Sequence, residues 1–211
     1  EILRDLCIGE YMHATQPVEG KIELRADVDG LFAVDTKRLK AVNALGEMMI
    51  ATRVSGFPVK KGDTLAGTRV IPLTIEKEKM KKAQQVAGSK SLLSLHPLKQ
   101  KKYGLVTTGN EIYHGRIQDA SAPVMQAKLS EYGCELKTHA VLPDEPVRIT
   151  ETILSMVEDG CEMVFCTGGM SVDPDDKTPL AIKNAGVNVV TYGAPVLPRA
   201  MFLLSYTDDG R

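Results

Sequence analysis

The spacing of apolar and polar residues changes character near the middle of this chain. From about Lys21 to Ile75, short β-prone runs alternate with turns, in "KIELRADVDGLFAV", "GEMMIATRVSG" and "TLAGTRVIPLTI". The dipeptide Asp29-Gly30 favours a tight hairpin turn between the two β-prone parts of the first of these segments. We therefore expect the first half of the chain to fold as a small β-rich domain.

A charged segment closes this β-rich half. The run "IEKEKMKKAQQVAGSKS" predicts a helix that ends near Gly88 and connects the two halves. The following "LHPLKQKK" predicts an extended basic linker. The expected organisation is a β-rich accessory domain over residues 1–88, a linker over residues 89–102, and a second domain over residues 103–211.

After Tyr103, apolar runs and helical stripes alternate. Met125, Leu129 and Tyr132 recur at spacings of four and three residues, which predicts one buried face of a helix, and Gly133 is placed to end it. The strand candidates are "YGLVTTG", "CELKTHAVL", "CEMVFC" and "VNVVTYG". Strands that alternate with helices imply a parallel sheet with right-handed crossovers. The expected fold class is therefore α/β, as a three-layer α/β/α module with these four strands as parallel neighbours.

Two glycine turns follow strands of this predicted sheet. The turn "TTGNE" comes after the first strand and "CTGGMS" after the third, while Asp144 comes after the second. Ligands of parallel α/β sheets bind outside the carboxyl ends of the strands. We therefore expect the two turns and Asp144 to face one pocket.

Composition narrows the classes of function. The chain has 211 residues, a hydrophobic fraction of 43% and a net charge of -1, as an ordinary soluble globular protein does. Strong general attraction to nucleic acid or to a membrane surface is not expected. The four cysteines form no Cys-x-x-Cys pair, so reduced thiols and a cytoplasmic location are expected. The histidines lack the spacing of a zinc site. Because the chain begins without Met or a signal-peptide pattern, we expect it to be a fragment of a longer protein.

The segment "GLVTTGNEIYHGRIQDA", followed about sixty residues later by "VFCTGGMSVDPDDKTPLAI", resembles the molybdopterin-binding domain family. That family includes molybdenum-cofactor biosynthesis proteins, gephyrin and the competence-damage-inducible proteins. The resemblance covers about Tyr103 to Arg211, and the β-rich half resembles accessory β domains of the insertase branch. It implies binding of molybdopterin or adenylylated molybdopterin in molybdenum-cofactor biosynthesis or handling. Molybdate and Mg²⁺ are the further small ligands that it implies, and the expected assembly is a homo-oligomer.

The resemblance also implies which residues form the site. It identifies Glu111 and Asp176 as catalytic residues and metal ligands, because carboxylates suit Mg²⁺. The cofactor-binding residues that it implies supply hydroxyl groups, backbone donors or polar side chains: Thr107, Thr108, Gly109, Asn110, Asp119, Asp144, Thr167, Gly168, Gly169 and Ser171. We expect Gly168 and Gly169 to let the ligand approach the backbone, so that Gly169→Val would abolish pterin binding and spare the fold.

Each acidic residue also has a structural alternative. Asp119 and Asp144 have the positions of helix caps. Glu111 is also compatible with solvated surface, and Asp173 and Asp175 with solvation of a loop. In that case the clustered carboxylates would mark only a polar turn.

The chain departs from the family pattern at several places. Asn110 stands where an aspartate is common, Asp173 where many members have glycine, and Pro174 stiffens the same loop. The proline-glycine segment that closes the family's pocket is expected beyond Arg211, so we expect an incomplete site.

Three functions remain open at this point. The first is pterin binding with molybdate insertion, the reaction of a molybdopterin molybdenumtransferase. The second is a metal-dependent nucleotide pyrophosphatase of the competence-damage-inducible type. The third is a pterin-sensing module without chemistry.

Overall fold

The computed structural model describes residues 1–171, 176–196 and 200–210. The chain divides into two compact units, Glu1–Leu98 and Lys99–Arg211. Asp173, Pro174 and Asp175 lie outside the described residues, so the expectation of loop solvation at Asp173 and Asp175 falls on residues that are not described.

The first unit is β-rich, as the sequence predicts. Its elements in chain order are α1 (Ile2–Cys7), β1 (Met12–Ala14), β2 (Lys21–Ala26), β3 (Gly30–Val34), α2 (Thr36–Asn43), β4 (Met48–Thr52), β5 (Phe57–Val59), β6 (Thr64–Val70), α3 (Lys77–Ala87) and β7 (Leu93–Pro97). The strands form two antiparallel sheets, with the orders β1-β2-β6-β4 and β5-β3-β7. Buried apolar residues of both sheets and of the three helices form one core.

The predicted hairpin at Asp29-Gly30 is wrong. Strand β2 pairs with β1 and β6, whereas β3 pairs with β5 and β7, so the two runs belong to different sheets. The Asp29 carboxylate instead accepts hydrogen bonds from the Lys61 N–H (2.7 Å) and from Lys60 Nζ (3.0 Å). A dipeptide that favours a turn therefore connects the two sheets of this unit.

The predicted linker over residues 89–102 is also wrong in part. It contains β7, which pairs antiparallel with β3 and buries Leu93 and Leu95. This alternation of buried and exposed residues is that of a half-buried strand. Helix α3 ends at Gly88 as predicted, with φ of 73°, but it buries Met80 and Ala83 in the core of the first unit rather than only connecting the halves.

The second unit begins with a strand and continues with alternating helices and strands. Its elements are β8 (Lys102–Thr108), α4 (Asn110–Tyr113), α5 (Ser121–Ser130), β9 (Glu135–Leu142), α6 (Pro146–Glu158), β10 (Met163–Thr167), α7 (Thr178–Asn184), β11 (Asn188–Val196) and β12 (Ala200–Tyr206). In the described residues a parallel sheet has the order β10-β8-β9, with β8 at its centre.

Side chains of β8 point alternately to two helical layers. Tyr103 and Leu105 pack in one cluster with Ala122 of α5. Val106 packs in the other cluster with Ile149 of α6 and Ala181 of α7. Successive side chains of a strand point to opposite faces of the sheet, so the helices cover both faces. The predicted three-layer α/β fold is confirmed.

The prediction of "VNVVTYG" as a fourth parallel strand is wrong. It forms β11, which pairs antiparallel with β12, for example at Tyr192 and Leu203. Strands β11 and β12 follow one another in sequence, and pairing between segments that are close in sequence costs little loop-closure entropy. Within the described part, β10 is therefore an edge strand, and its residues are half-buried rather than enclosed.

Other local expectations are met in part. Helix α5 forms in the segment where apolar spacing predicts a helix, and Gly133 follows it with φ of 72°, but the helix ends before Tyr132, and Met125 and Leu129 are half-buried rather than buried. All four cysteines lie in the described ranges and are free thiols. Among the described residues, no helix is both long enough and apolar enough to cross a membrane.

Candidate functional site

A cleft of about 550 Å³ opens at the carboxyl end of β8. The loop after β8 and the start of α4 form one wall, and residues near the starts of α6 and α7 contribute to it. Its lining residues are Thr108, Gly109, Asn110, Glu111, Ile112, Ile117, Asp144 and Lys177. Five of them are residues that the family resemblance implies for the site. The sheet edge on which the sequence analysis placed a pocket therefore does carry one.

Asn110 and Asp144 are joined across this cleft by two hydrogen bonds. The Asn110 N–H donates to Asp144 Oδ2 at 3.0 Å, and the Asp144 N–H donates to Asn110 Oδ1 at 3.3 Å. The N-cap position of α6 is occupied by Glu145, and no side chain caps that helix. The helix-cap alternative for Asp144 is therefore wrong, because its carboxylate binds the loop after β8 instead.

The second glycine turn packs against the same loop. Gly168 has φ of 89°, and a Cβ there would lie 2.1 Å from the Thr108 carbonyl oxygen. Gly169 has φ of 52°, and a Cβ there would lie 2.8 Å from Thr178 Oγ1 and 3.5 Å from Asp144 Oδ1. The absence of a side chain at both positions is thus required by packing and backbone conformation. The expectation that Gly169→Val spares the fold is wrong for this reason.

The Thr108 hydroxyl is used inside the protein. It lies 2.9 Å from Thr178 Oγ1 and donates to the Thr167 carbonyl oxygen at 3.3 Å, and both threonine side chains are buried. Thr108 lines the cleft, but its hydroxyl proton already has an acceptor. The structure therefore gives it the role of joining the strand end to the start of α7 rather than that of a ligand donor.

Thr107 points to the opposite face of the sheet. Its hydroxyl donates to Asp119 Oδ2 at 2.8 Å and lies 2.9 Å from His139 Nε2. A hydroxyl has one proton to donate, so Nε2 of His139 carries a hydrogen and donates to Thr107. The Thr167 hydroxyl donates to Thr107 Oγ1 at 3.4 Å. These side chains form a cluster on the α5 side, outside the cleft.

Asp119 stabilises the first turn of α5. Its Oδ1 accepts hydrogen bonds from the Ser121 N–H (2.8 Å) and the Ala122 N–H (3.1 Å). Burial acts to raise the pKa of this carboxyl, but the hydrogen bonds from the Thr107 hydroxyl and the two amides outweigh it and hold the pKa below its ordinary value. The helix-cap alternative therefore describes the observed contacts of Asp119. The expectation that Thr107, Asp119 and Thr167 face the same pocket as Asn110 is wrong.

The remaining predicted residues differ in their surroundings. Glu111 lines the cleft with an exposed side chain. Asp176 has a buried Oδ2 that finds no hydrogen-bond donor in the part of the chain that the structure describes. Ser171 is exposed, and its carbonyl oxygen lies 3.3 Å from the Tyr192 hydroxyl. Across the described ranges, no group of three or more His, Cys, Asp or Glu side chains is arranged to hold a metal.

Sequence reasoning missed Lys177 and His139. Lys177 brings a positive charge to the cleft wall, and its position next to Asp176 in "DDKTP" was an available signal. His139 lies on β9, where the alternation of the strand places it beside the end of β8. Its contact with Thr107 could not be read from the spacing of histidines along the chain.

Comparison with known proteins identifies relatives of the second unit. Residues 104–204 match the family described as "Probable molybdopterin binding domain". A CinA-like protein of Mycobacterium tuberculosis (strain ATCC 25177 / H37Ra) is 35% identical over 75 residues, which is 36% of this chain and 17% of that protein. A CinA-like protein of Amoebophilus asiaticus (strain 5a2) is 33% identical over 78 residues, 37% of this chain and 19% of that protein. The matched region thus spans less than a fifth of each of these curated relatives.

Similar solved structures include three from archaea. A protein named CinA, of unknown function, from Thermoplasma acidophilum is 24% identical, with a TM-score of 0.40 over 43% of this chain and 53% of that chain. The tungsten cofactor synthesizing protein MoaB from Pyrococcus furiosus is 27% identical, with a TM-score of 0.38 over 41% and 53%. The molybdopterin biosynthesis moeA protein from Pyrococcus horikoshii OT3 is 13% identical, with a TM-score of 0.36 over 96% and 69%.

Proposed function

We propose that the cleft binds molybdopterin or adenylylated molybdopterin in molybdenum-cofactor biosynthesis or handling, because residues 104–204 match the family described as "Probable molybdopterin binding domain". The observation that carries the proposal is the cleft itself, of about 550 Å³, lined by the glycine turn after β8 together with Asp144 and Lys177. This volume lies within the range of about 300–1,000 Å³ that is usual for small-molecule sites.

The charges of the cleft suit a ligand with both an anionic and a neutral polar part. The Lys177 ammonium is the kind of group that binds a phosphate. Glu111 and Asp144 would repel a phosphate placed directly against them, so they face the pterin or a cation instead. Asp144 is also held in place by Asn110, so its carboxylate orients the loop after β8.

The residues present are compatible with Mg²⁺ as a further ligand. The buried Oδ2 of Asp176 finds no partner among the described residues, and a cation would satisfy it. Mg²⁺ is usually held by one or two carboxylates, with water and ligand phosphate oxygens completing its shell, so a cluster of three acidic side chains is not required. We propose Asp176 and Glu111 as the carboxylates that would hold it. When bound, Mg²⁺ would polarise phosphate or molybdate oxygens.

Isothermal titration of the chain with molybdopterin, with ADP-ribose as a competitor, tests the binding proposal. Saturable binding that ADP-ribose does not displace supports it, whereas the absence of binding contradicts it. Asp176→Ala is expected to keep the pterin affinity within about twofold and to weaken any step that needs Mg²⁺ or molybdate, because a hard oxygen ligand is lost. Glu158→Ala, an exposed carboxylate on α6, is the matched control. If Asp176→Ala binds and reacts as the parent does, the Asp176 carboxylate takes no part in metal binding.

A metal-dependent nucleotide pyrophosphatase is the second candidate. It is favoured by the 35% identity to a CinA-like protein and by the same unpartnered oxygen of Asp176. Incubation with ADP-ribose and Mg²⁺ distinguishes the two functions. Release of AMP and ribose phosphate that is lost in Asp176→Ala would favour hydrolysis, whereas bound pterin with intact ADP-ribose would favour the first proposal.

A further inference from the structure

A tyrosine of the β11–β12 hairpin contacts the second glycine turn from outside the cleft. The Tyr192 hydroxyl lies 3.2 Å from the Met170 carbonyl oxygen and 3.3 Å from the Ser171 carbonyl oxygen. The Lys183 ammonium of α7 lies 5.9 Å from the centroid of the same ring, within the range of a cation–π contact. Tyr192 therefore touches both the turn that follows β10 and the helix that this turn leads into.

The hydroxyl contact constrains the direction of the peptide groups in the turn. A single hydroxyl proton bonds to one of the two carbonyl oxygens at a time, and both lie within reach. In a trans peptide the N–H points opposite to the C=O of the same unit. When the Met170 carbonyl points to Tyr192, the Ser171 N–H of that peptide points away from Tyr192. The contact thus sets the orientation of a backbone donor at the end of the glycine turn.

The sequence of the turn is conformationally permissive, so the Tyr192 contact can add to the packing against Thr108 and Thr178 that already orders it. Gly168 and Gly169 are consecutive glycines in positive-φ conformations, and glycine loses more conformational freedom on ordering than any other residue. A loop that is ordered before the ligand arrives costs less affinity than a loop that is ordered by the ligand. About 37% of Tyr192 remains exposed, so core burial is not its main contribution.

We propose that Tyr192 is a positioning residue that holds the Met170 and Ser171 peptides, and with them the glycine turn, in the conformation that binds the ligand. The proposal rests on the proposed pterin-binding function and adds a specific residue to it. Tyr192 acts through the turn and does not itself contact the ligand. Tyr192 lies opposite Leu203 in the backbone register of the two strands, and a phenylalanine at this position can keep that register while it removes the hydroxyl.

The test compares Tyr192→Phe with Tyr206→Phe. Tyr206 is a tyrosine of the same hairpin, pairs opposite Asn188, and has 45% of its surface exposed, so its variant controls for the loss of a hydroxyl from this element. Tyr192→Phe is expected to bind molybdopterin about fivefold more weakly, the effect of one hydrogen bond between neutral groups. It should also speed amide hydrogen exchange at Gly168–Ser171, with little change in the melting temperature. Tyr206→Phe is expected to match the parent in all three measurements.

Three outcomes would overturn the proposal. In the first, Tyr192→Phe exchanges its Gly168–Ser171 amides at the parent's rate. In the second, exchange rises throughout β10, β11 and β12 and the melting temperature falls, which indicates a purely structural role. In the third, the parent binds the pterin and the variant binds it equally well. If the parent fails to bind molybdopterin at all, the pterin-binding proposal fails, and the exchange rates then decide separately whether Tyr192 holds the turn.

Discussion

Asn110 and Asp144 each accept the other's backbone N–H, at 3.0 Å to Asp144 Oδ2 and 3.3 Å to Asn110 Oδ1. The pair connects the turn after the central strand β8 to the residue that follows the neighbouring strand β9. An aspartate at position 110, which is common in the family that the chain resembles, would keep the acceptor but place a second negative charge beside Asp144. Because the Asn110 side chain is a neutral amide, the two loops are joined with the Asp144 carboxylate as the only charged group of the pair.

Asp144→Ala separates a role in the site from a role in helix capping. The variant loses the carboxylate that accepts the Asn110 N–H, and hydrogen bonds to charged groups contribute about 1.5–3 kcal/mol. We expect molybdopterin affinity to fall roughly tenfold or more, measured by isothermal titration. The melting temperature should fall as well, because this hydrogen bond also stabilises the free protein, while the helical circular dichroism signal changes little. Glu145→Ala, at the actual N-cap position of α6, is the control and should retain the parent's affinity. A large loss of helix in Asp144→Ala with unchanged affinity would restore the capping role.

Gly169→Ala is expected to destabilise the fold rather than act only on ligand binding. A residue with a Cβ pays about 1–2 kcal/mol in the left-handed region, and here the Cβ would also lie 2.8 Å from the buried Thr178 hydroxyl. Gly186→Ala is the matched control, since Gly186 has φ of 75° and its Cβ would meet nothing within 4 Å. Urea unfolding should show the larger loss of stability for Gly169→Ala. Equal losses for the two variants would mean that the contact with Thr178 adds nothing.

Asp119 should make the stability of the second unit sensitive to acid. Its pKa is lower in the folded protein than the ordinary value of 3.8, because the Thr107 hydroxyl and two amides outweigh the effect of burial. The contribution of the Asp119 carboxylate to the free energy of unfolding is therefore fully present at pH values above the ordinary pKa. It is lost as the pH falls through the lower pKa of the folded protein. Between about pH 5 and about pH 3, the parent should lose more of its free energy of unfolding than Asp119→Asn does. Equal losses would show that Asp119 is not coupled to folding, and Glu158→Gln serves as an exposed control.

The order of elements in the second unit could be predicted because period and glycine positions are local signals. Helix α5 lies in the segment where apolar spacing predicts a helix, and Gly133 follows it. The pairing of strands could not be predicted in the same way, because the composition and alternation of one β-prone run do not specify which other run becomes its partner. "VNVVTYG" has the composition of a buried parallel strand, yet it pairs antiparallel with β12, the next β-prone segment in the sequence. Strands β2 and β3 likewise enter different sheets.

The site could be predicted as a location but not as a set of contacts. The rule that ligands bind at the carboxyl ends of parallel strands led to the edge of the sheet where the cleft lies. Thr107 and Thr108, however, are consecutive residues of β8, and consecutive side chains of a strand point to opposite faces. One therefore joins Asp119 and His139 beside α5, and the other joins Thr178 beside the cleft. The motif "TTGNE" contains both threonines, so it does not show that their side chains lie on opposite faces of the sheet.

We expect molybdopterin to occupy the cleft at the end of β8. Backbone amide chemical-shift mapping tests this location directly. Titration of the isotopically labelled chain with molybdopterin should shift the amides of Gly109, Asn110 and Glu111, together with those of Asp144 and Lys177, whose residues line the cleft. The amides of the first unit, Glu1–Leu98, should not move. Shifts that cluster in the first unit, or around Asp119 and His139 on the other face of the sheet, or no shifts at saturating ligand, would contradict it.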